Sequence, residues 1–184
     1  MSGVPPVTPE AARLAAIRLL AVDVDGVLTD GRLYYGAGGE QLKVFHVHDG
    51  LGLKLVQAAG IEVAIVSARD SAMVSARLDD LGITLRAQGS QDKGAALRAL
   101  REQRALAMDA VAFVGDDLPD LAAFAEAGLK IAVGNAQAPV RAAADWVTTC
   151  DGGQGAVREV CNALLAARIA ASAAVTAPVD GRGA

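Results

Sequence analysis

Residues 19–26 read Leu-Leu-Ala-Val-Asp-Val-Asp-Gly. An apolar run this short, closed by polar residues, is a strand buried on both faces. Such strands belong to parallel sheets covered by helices. Asp23 then stands at the carboxyl end of the strand, where open α/β sheets take their ligands. The two-residue period of extended chain turns Asp23 and Asp25 to one side, and Gly26 permits the sharp turn that follows. Two carboxylates this close repel unless a cation or a shared proton intervenes, and an all-oxygen donor set invites Mg²⁺.

The pattern recurs along the chain. Residues 61–66 form a second apolar run that ends in Ser67-Ala68-Arg69. A short strand at 84–87 leads to Asp92-Lys93, with Asp92 expected to cap a helix running to residue 103. Residues 110–114 run into Gly115-Asp116-Asp117-Leu118-Pro119-Asp120. Further strands are expected at 130–133 and 146–149. Helices are expected from 51 to Gly60, from 71 to Gly82, up to residue 127, after Pro139, and from 156 to about 168. Strand, helix and strand alternate, which means an α/β, doubly wound, Rossmann-like parallel sheet. Its strand ends bring Asp23, Asp25, Ser67, Arg69, Lys93, Asp116 and Asp117 to one rim. Two β-prone runs, 32–35 and 42–47, flank Gly36-Ala37-Gly38-Gly39 and read as a projecting hairpin. His46 and His48 alternate on a strand, so one packs and the other faces the site. A single domain is expected over 15–168, with a loose arm over 1–14 and a frayed tail over 169–184.

Composition removes several function classes. The 184 residues carry a net charge of −4, against the clustered Lys and Arg that phosphate backbones require, so no nucleic-acid partner is expected. No 18-residue apolar stretch offers a membrane span, and the first residues lack the basic-then-apolar order of a signal peptide. A cytoplasmic protein is expected, with Cys150 and Cys161 as reduced thiols.

A phosphate monoester suits the rim. Carboxylate-held Mg²⁺ neutralises phosphoryl oxygens, a carboxylate serves as nucleophile, and a second carboxyl protonates the leaving alkoxide. A hydroxyl, backbone amides and a lysine complete an anion cradle. The sequence supplies each kind at a strand end. Asp23-x-Asp25-Gly26, Ser67, Lys93 and Gly115-Asp116-Asp117-x-x-Asp120 resemble, in order, the four motifs of the haloacid dehalogenase superfamily of phosphatases. That resemblance implies Asp23 as nucleophile and Asp25 as general acid/base. It implies Mg²⁺ on Asp23, the Asp25 carbonyl and Asp116, and phosphate on Ser67 and Lys93. Asp117 and Asp120 would orient waters or Lys93.

Between Asp25 and Ser67 there is room for the hairpin and one helix, but for no cap domain. An open site needs walls from elsewhere, and a neighbouring subunit is their natural source. Asp23–Gly31, Gly39-Glu40 with Lys43 and Phe45, Asp49-Gly50, Gln88-Gly89 before Lys93, and Gly152–Glu159 resemble the family of 3-deoxy-D-manno-octulosonate 8-phosphate phosphatases over roughly residues 15–168. The family usually carries Gly where Ala68 stands and Arg where His48 stands. The resemblance implies a homotetramer whose hairpins help close neighbouring sites, with Gly152–Glu159 near an adjacent site. It implies that His46, Val47, His48, Asp49, Gly50, Lys54, Arg69 and Arg77 contact a sugar-acid phosphate substrate. Rival readings are a phosphatase of a nine-carbon sugar-acid 9-phosphate, a non-catalytic accessory domain of sugar-acid activation, and a phospho-accepting receiver.

Overall fold

The computed structural model describes residues 8–176. Of the expected arm and tail, residues 1–7 and 177–184 lie outside that range. In chain order the elements are α1 (Ala11–Ala16), β1 (Leu19–Val22), β2 (Tyr34–Gly36), β3 (Gly39–Leu42), α2 (Val47–Ala58), β4 (Glu62–Val66), α3 (Ala72–Leu81) and β5 (Leu85–Ala87). There follow α4 (Lys93–Gln103), a 3₁₀ turn at Met108–Ala110, β6 (Val111–Gly115), α5 (Asp120–Phe124), β7 (Leu129–Ala132), α6 (Ala138–Ala143), β8 (Trp146–Val147) and α7 (Ala156–Thr176).

Six strands form one parallel sheet in the order β5-β4-β1-β6-β7-β8. The chain winds outward from β1 through β4 to β5, then returns to β6 on the other side of β1 and continues to β8. The order therefore reverses at β1, and a ligand crevice opens there beyond the strand ends. Every residue of β1 and of β6 is buried, as expected of strands covered on both faces. Helices α1, α2 and α7 pack together, with α3 against α2; α4 packs on α5, which meets α6. Aliphatic side chains build nearly all of the core, and Phe113 and Phe124 meet edge to face 6.1 Å apart.

Local signals place both ends of α3 and the start of α4. Ser71 accepts from the Val74 amide at the start of α3, and Gly82 ends that helix in the left-handed region at φ 68°. Asp92 accepts from the Ala95 amide at 2.9 Å, a cap that contributes about 1 kcal/mol.

Several boundaries differ from the sequence reading. The hairpin is shorter and sits earlier, at Tyr34–Gly36 and Gly39–Leu42. His46 and His48 therefore do not alternate on a strand. His46 is the N-cap position of α2, His48 lies in its first turn, and their rings meet edge to face at 4.9 Å. Helix α5 ends at Phe124 rather than near Ala127, and four residues later the Gly128 amide is bound to the Met108 carbonyl at 2.8 Å. Within the expected arm, residues from Ala11 form α1, whose Leu14 joins the core, and α7 continues past Arg168 to Thr176.

Candidate active site

The loop after β1 is bound to itself before it touches anything else. The Val24 carbonyl accepts from the amides of Val27, Leu28 and Thr29 at 2.9–3.3 Å. Thr29 Oγ1 accepts from the Gly26 amide at 3.3 Å and the Gly31 amide at 3.2 Å. Val24 points into the core, so Asp23 and Asp25 on either side of it both face a cleft of about 290 Å³. Gly26 turns at φ 94°, and a Cβ there would overlap the Asp116 carboxylate. The turn thus lets the two acidic loops approach.

Three further strand ends supply the rest of the cleft. Ser67, Ala68 and Arg69 follow β4, Lys93 opens α4, and Asp116, Asp117 and Pro119 follow β6. Buried Ser67 Oγ accepts from the Arg69 amide at 3.3 Å. Lys93 Nζ stands 2.9 Å from Asp23 Oδ2 and donates to Asp120 Oδ1 at 2.7 Å. The other Asp120 oxygen accepts from the amides of Asp116 and Asp117 at 2.8 and 3.1 Å. Asp120, with a fully buried side chain, therefore fixes both the lysine and the loop that carries Asp116. Asp117 is exposed and accepts from the neighbouring Leu118 amide.

Burial, reinforced by repulsion from Asp120, pushes the Asp23 carboxyl up to about 7 against the pull of Lys93. Burial does the same to Asp116, again with Asp120 adding to it. Burial alone would lower the Lys93 ammonium, but Asp23 and Asp120 outweigh it and hold it above its ordinary value. Burial and the Asp120 charge thus push both carboxyls well above the ordinary carboxylate range. Carboxylate oxygens of Asp23, Asp116 and Asp120 lie within 4.8 Å of one another, and Asp116 Oδ1 is buried with no hydrogen-bond partner. This all-oxygen set with one unsatisfied donor fits a hard divalent cation. Both Asp120 oxygens are engaged, by Lys93 and by two amides, whereas Asp23 meets Lys93 through Oδ2 and Asp116 Oδ1 has no partner, so Asp23 and Asp116 are the carboxylates that could hold a metal.

Of the residues expected at the sugar, Arg69 lines the cleft, while His46, Val47, His48, Asp49, Gly50, Lys54 and Arg77 do not. Asp49 is 1% exposed, and its Oδ1 accepts from the Arg158 amide at 2.7 Å, so it caps the first turn of α7. The Arg77 guanidinium lies over the Phe45 ring at 5.8 Å and against Gly50. Val47 and His48 are exposed on α2. The Gly152 segment packs on this chain's own 23–31 loop: the Gly153 amide donates to the Val27 carbonyl at 2.9 Å, and the Gly152 amide to Asn135 at 2.9 Å.

One pair at the site had no role assigned from the sequence. Lys43, its side chain 1% exposed, binds Asp25 Oδ1 and stands 3.1 Å from Glu40 Oε1. A lysine inside the apolar run Leu42-Lys43-Val44-Phe45 was the available signal, because a buried ammonium needs a carboxylate partner.

Comparison with known proteins points to the same fold and family. Residues 87–160 match the family model of haloacid dehalogenase-like hydrolases. The 3-deoxy-D-manno-octulosonate 8-phosphate phosphatase of Escherichia coli strain K12 is 46% identical over 157 residues, 85% of this chain and 84% of that protein. The Moraxella catarrhalis phosphatase of the same name, solved in complex with magnesium, phosphate and KDO, superposes with a TM-score of 0.84 at 44% identity, covering 90% of this chain and 95% of that one. The cobalt-bound Haemophilus influenzae phosphatase also gives 0.84, at 42% identity over 92% of this chain and 98% of that one.

Proposed function

The chain belongs to the 3-deoxy-D-manno-octulosonate 8-phosphate phosphatases, phosphoric monoester hydrolases of the haloacid dehalogenase-like group, and on that premise we propose that it releases phosphate from this eight-carbon sugar-acid phosphate. The step belongs to synthesis of the lipopolysaccharide inner-core sugar, in the cytoplasm. Among the described residues, no helix is long and apolar enough to cross a membrane. The observation that carries the reading is the meeting of Asp23, Asp25, Ser67, Lys93 and Asp116 in one cleft, with Asp120 buried behind Lys93.

Asp23, the Asp25 carbonyl and Asp116 would hold Mg²⁺. When bound, the ion supplies positive charge that keeps the carboxylates ionised and neutralises phosphoryl oxygens. Ser67 and Lys93 hold the remaining phosphoryl oxygens. The Asp23 carboxylate attacks phosphorus in line, the bond from phosphorus to the sugar oxygen breaks, and Asp25 gives its proton to the leaving alkoxide. Asp25 then takes a proton from the water that attacks the aspartyl-phosphate, freeing phosphate and the Asp23 carboxylate.

Arg69 at the cleft offers a charged partner for the sugar carboxylate. Of the other expected sugar contacts, the exposed Val47, His48 and Lys54 would reach the site of an adjacent subunit in a homotetramer. Exposed Leu33, Tyr34, Tyr35, Leu42, Val44 and Val47, on and beside the hairpin, support such an assembly. Sedimentation equilibrium tests it, and a monomer would contradict it. For the substrate, the test is phosphate release from the eight- and nine-carbon sugar-acid phosphates, with Mg²⁺ and with chelator. Mg²⁺-dependent preference for the eight-carbon ester is expected. Preference for the nine-carbon ester would overturn the substrate and leave the chemistry standing.

A further inference from the structure

Asp25 is held by a ring of charges that begins outside the parallel sheet. Lys43, just beyond β3, binds Asp25 Oδ1 across 18 residues of chain. The same ammonium stands 3.1 Å from Glu40 Oε1 in β3. Glu40 Oε2 accepts from Arg69 at 2.8 Å, and Arg69 in turn stands 3.9 Å from the other Asp25 oxygen. Asp25, Lys43, Glu40 and Arg69 thus close a circuit of two acids and two bases. It ties both carboxylate oxygens of Asp25 to the hairpin on one side and the β4 loop on the other.

The Lys43 side chain is 1% exposed and that of Glu40 12%. Burying such charges costs several kcal/mol per ion, and replacing the whole set by apolar side chains of similar volume is often neutral for stability. What the charges add is direction. Asp25 lies on a loop, and among the described residues Lys43 is the group of the hairpin side that binds its carboxyl. A general acid must sit within hydrogen-bond reach of the oxygen it protonates, and a small misplacement costs rate steeply.

We propose that Lys43 is a positioning residue, which with Glu40 makes the hairpin the device that aims the Asp25 carboxyl at the leaving-group oxygen. The inference rests on the phosphatase reading above. Lys43 touches no reacting atom; it acts through Asp25.

Leaving-group dependence tests this. An alkyl phosphate needs a proton on its departing oxygen, whereas 4-nitrophenyl phosphate departs without one, and kcat/KM reports the steps up to formation of the Asp23 phosphate. Lys43→Met lowers kcat/KM for the sugar-acid phosphate by roughly 10–100-fold and for the aryl phosphate by less than about threefold. Glu40→Gln moves both values in the same sense but less, and Lys43→Arg restores part of the loss. In an Asp25→Asn background, Lys43→Met has no further effect, because the group it serves is gone. Equal losses on both substrates, or a full additional loss in the Asp25→Asn background, would overturn the inference and leave the phosphatase reading intact. A wild type inert toward every phosphomonoester would overturn that reading, and this inference with it. Where Lys43→Met does not fold, the Glu40→Gln comparison decides on the same criteria.

Discussion

Replacing Asp120 by Asn removes one charge and almost no volume, at a side chain with no exposed surface. The aspartate serves three donors: Lys93 Nζ at 2.7 Å on one oxygen, and the Asp116 and Asp117 amides at 2.8 and 3.1 Å on the other. Asparagine has one acceptor oxygen. The two amides are fixed by the backbone, so that oxygen turns to them and the NH₂ group faces the Lys93 ammonium, donor against donor. The variant loses a charge-assisted hydrogen bond worth about 1.5–3 kcal/mol, while Asp23 at 2.9 Å keeps the lysine partly paired. The full penalty of a stranded buried charge, about 3–5 kcal/mol, is therefore not reached. The expected destabilisation is about 2–3 kcal/mol, a fall in thermal midpoint of about 4–12 °C for a domain of this size. Lys93 shifts toward Asp23, and kcat falls at least tenfold. Thermal unfolding and steady-state phosphate release measure both. Asp117→Asn is the control: exposed and bonded only to its neighbour's amide, it changes stability by less than about 0.5 kcal/mol. An Asp120→Asn protein that matches this control in stability and rate would refute the role given to Asp120.

Two further outcomes follow from the same geometry. Gly26→Ala puts a Cβ into the Asp116 carboxylate at a φ of 94°, so activity and Mg²⁺ affinity fall together; full activity at unchanged Mg²⁺ demand would contradict the close approach of the loops. In metal-free protein, burial holds Asp23 and Asp116 near 7 against an ordinary 3.8, so the folded state binds protons more tightly than the unfolded chain between those values. Stability from these groups is present at low pH and is lost as pH rises through that window. The midpoint of chelator-treated protein should fall from about pH 5 to about pH 7.5, and Mg²⁺ should restore it more at the higher pH, where it no longer competes with protons. A midpoint indifferent to Mg²⁺ at about pH 7.5 would exclude these carboxylates as its ligands.

The sheet was legible because each buried strand is an apolar run cut off by a polar residue, and because glycine or a capping side chain ends the neighbouring helix. Asp23, Ser67, Lys93 and Asp116 could be placed from that punctuation, and they meet where it put them. What was hidden depends on partners far along the chain. The alternation His46-Val47-His48 reads as strand, yet Asp49 is held by the α7 amide of Arg158, 109 residues away, and the first turn of α2 forms around it. Nothing near Lys43 in sequence reveals that its partner is Asp25. The end of α7 was misread in a simpler way. Its alanine-rich stretch looked like a frayed tail, but alanine is the strongest helix former, and the helix continues to Thr176.

The central claim is that Asp23 is the nucleophile of a phosphomonoesterase. Phosphate release from 3-deoxy-D-manno-octulosonate 8-phosphate in the presence of Mg²⁺, by wild type and by Asp23→Asn, tests it most directly. The account predicts turnover in the wild type and its loss in the variant, with the fold of the variant intact by circular dichroism. Turnover that survives in Asp23→Asn would contradict it, and so would a folded wild type that releases no phosphate.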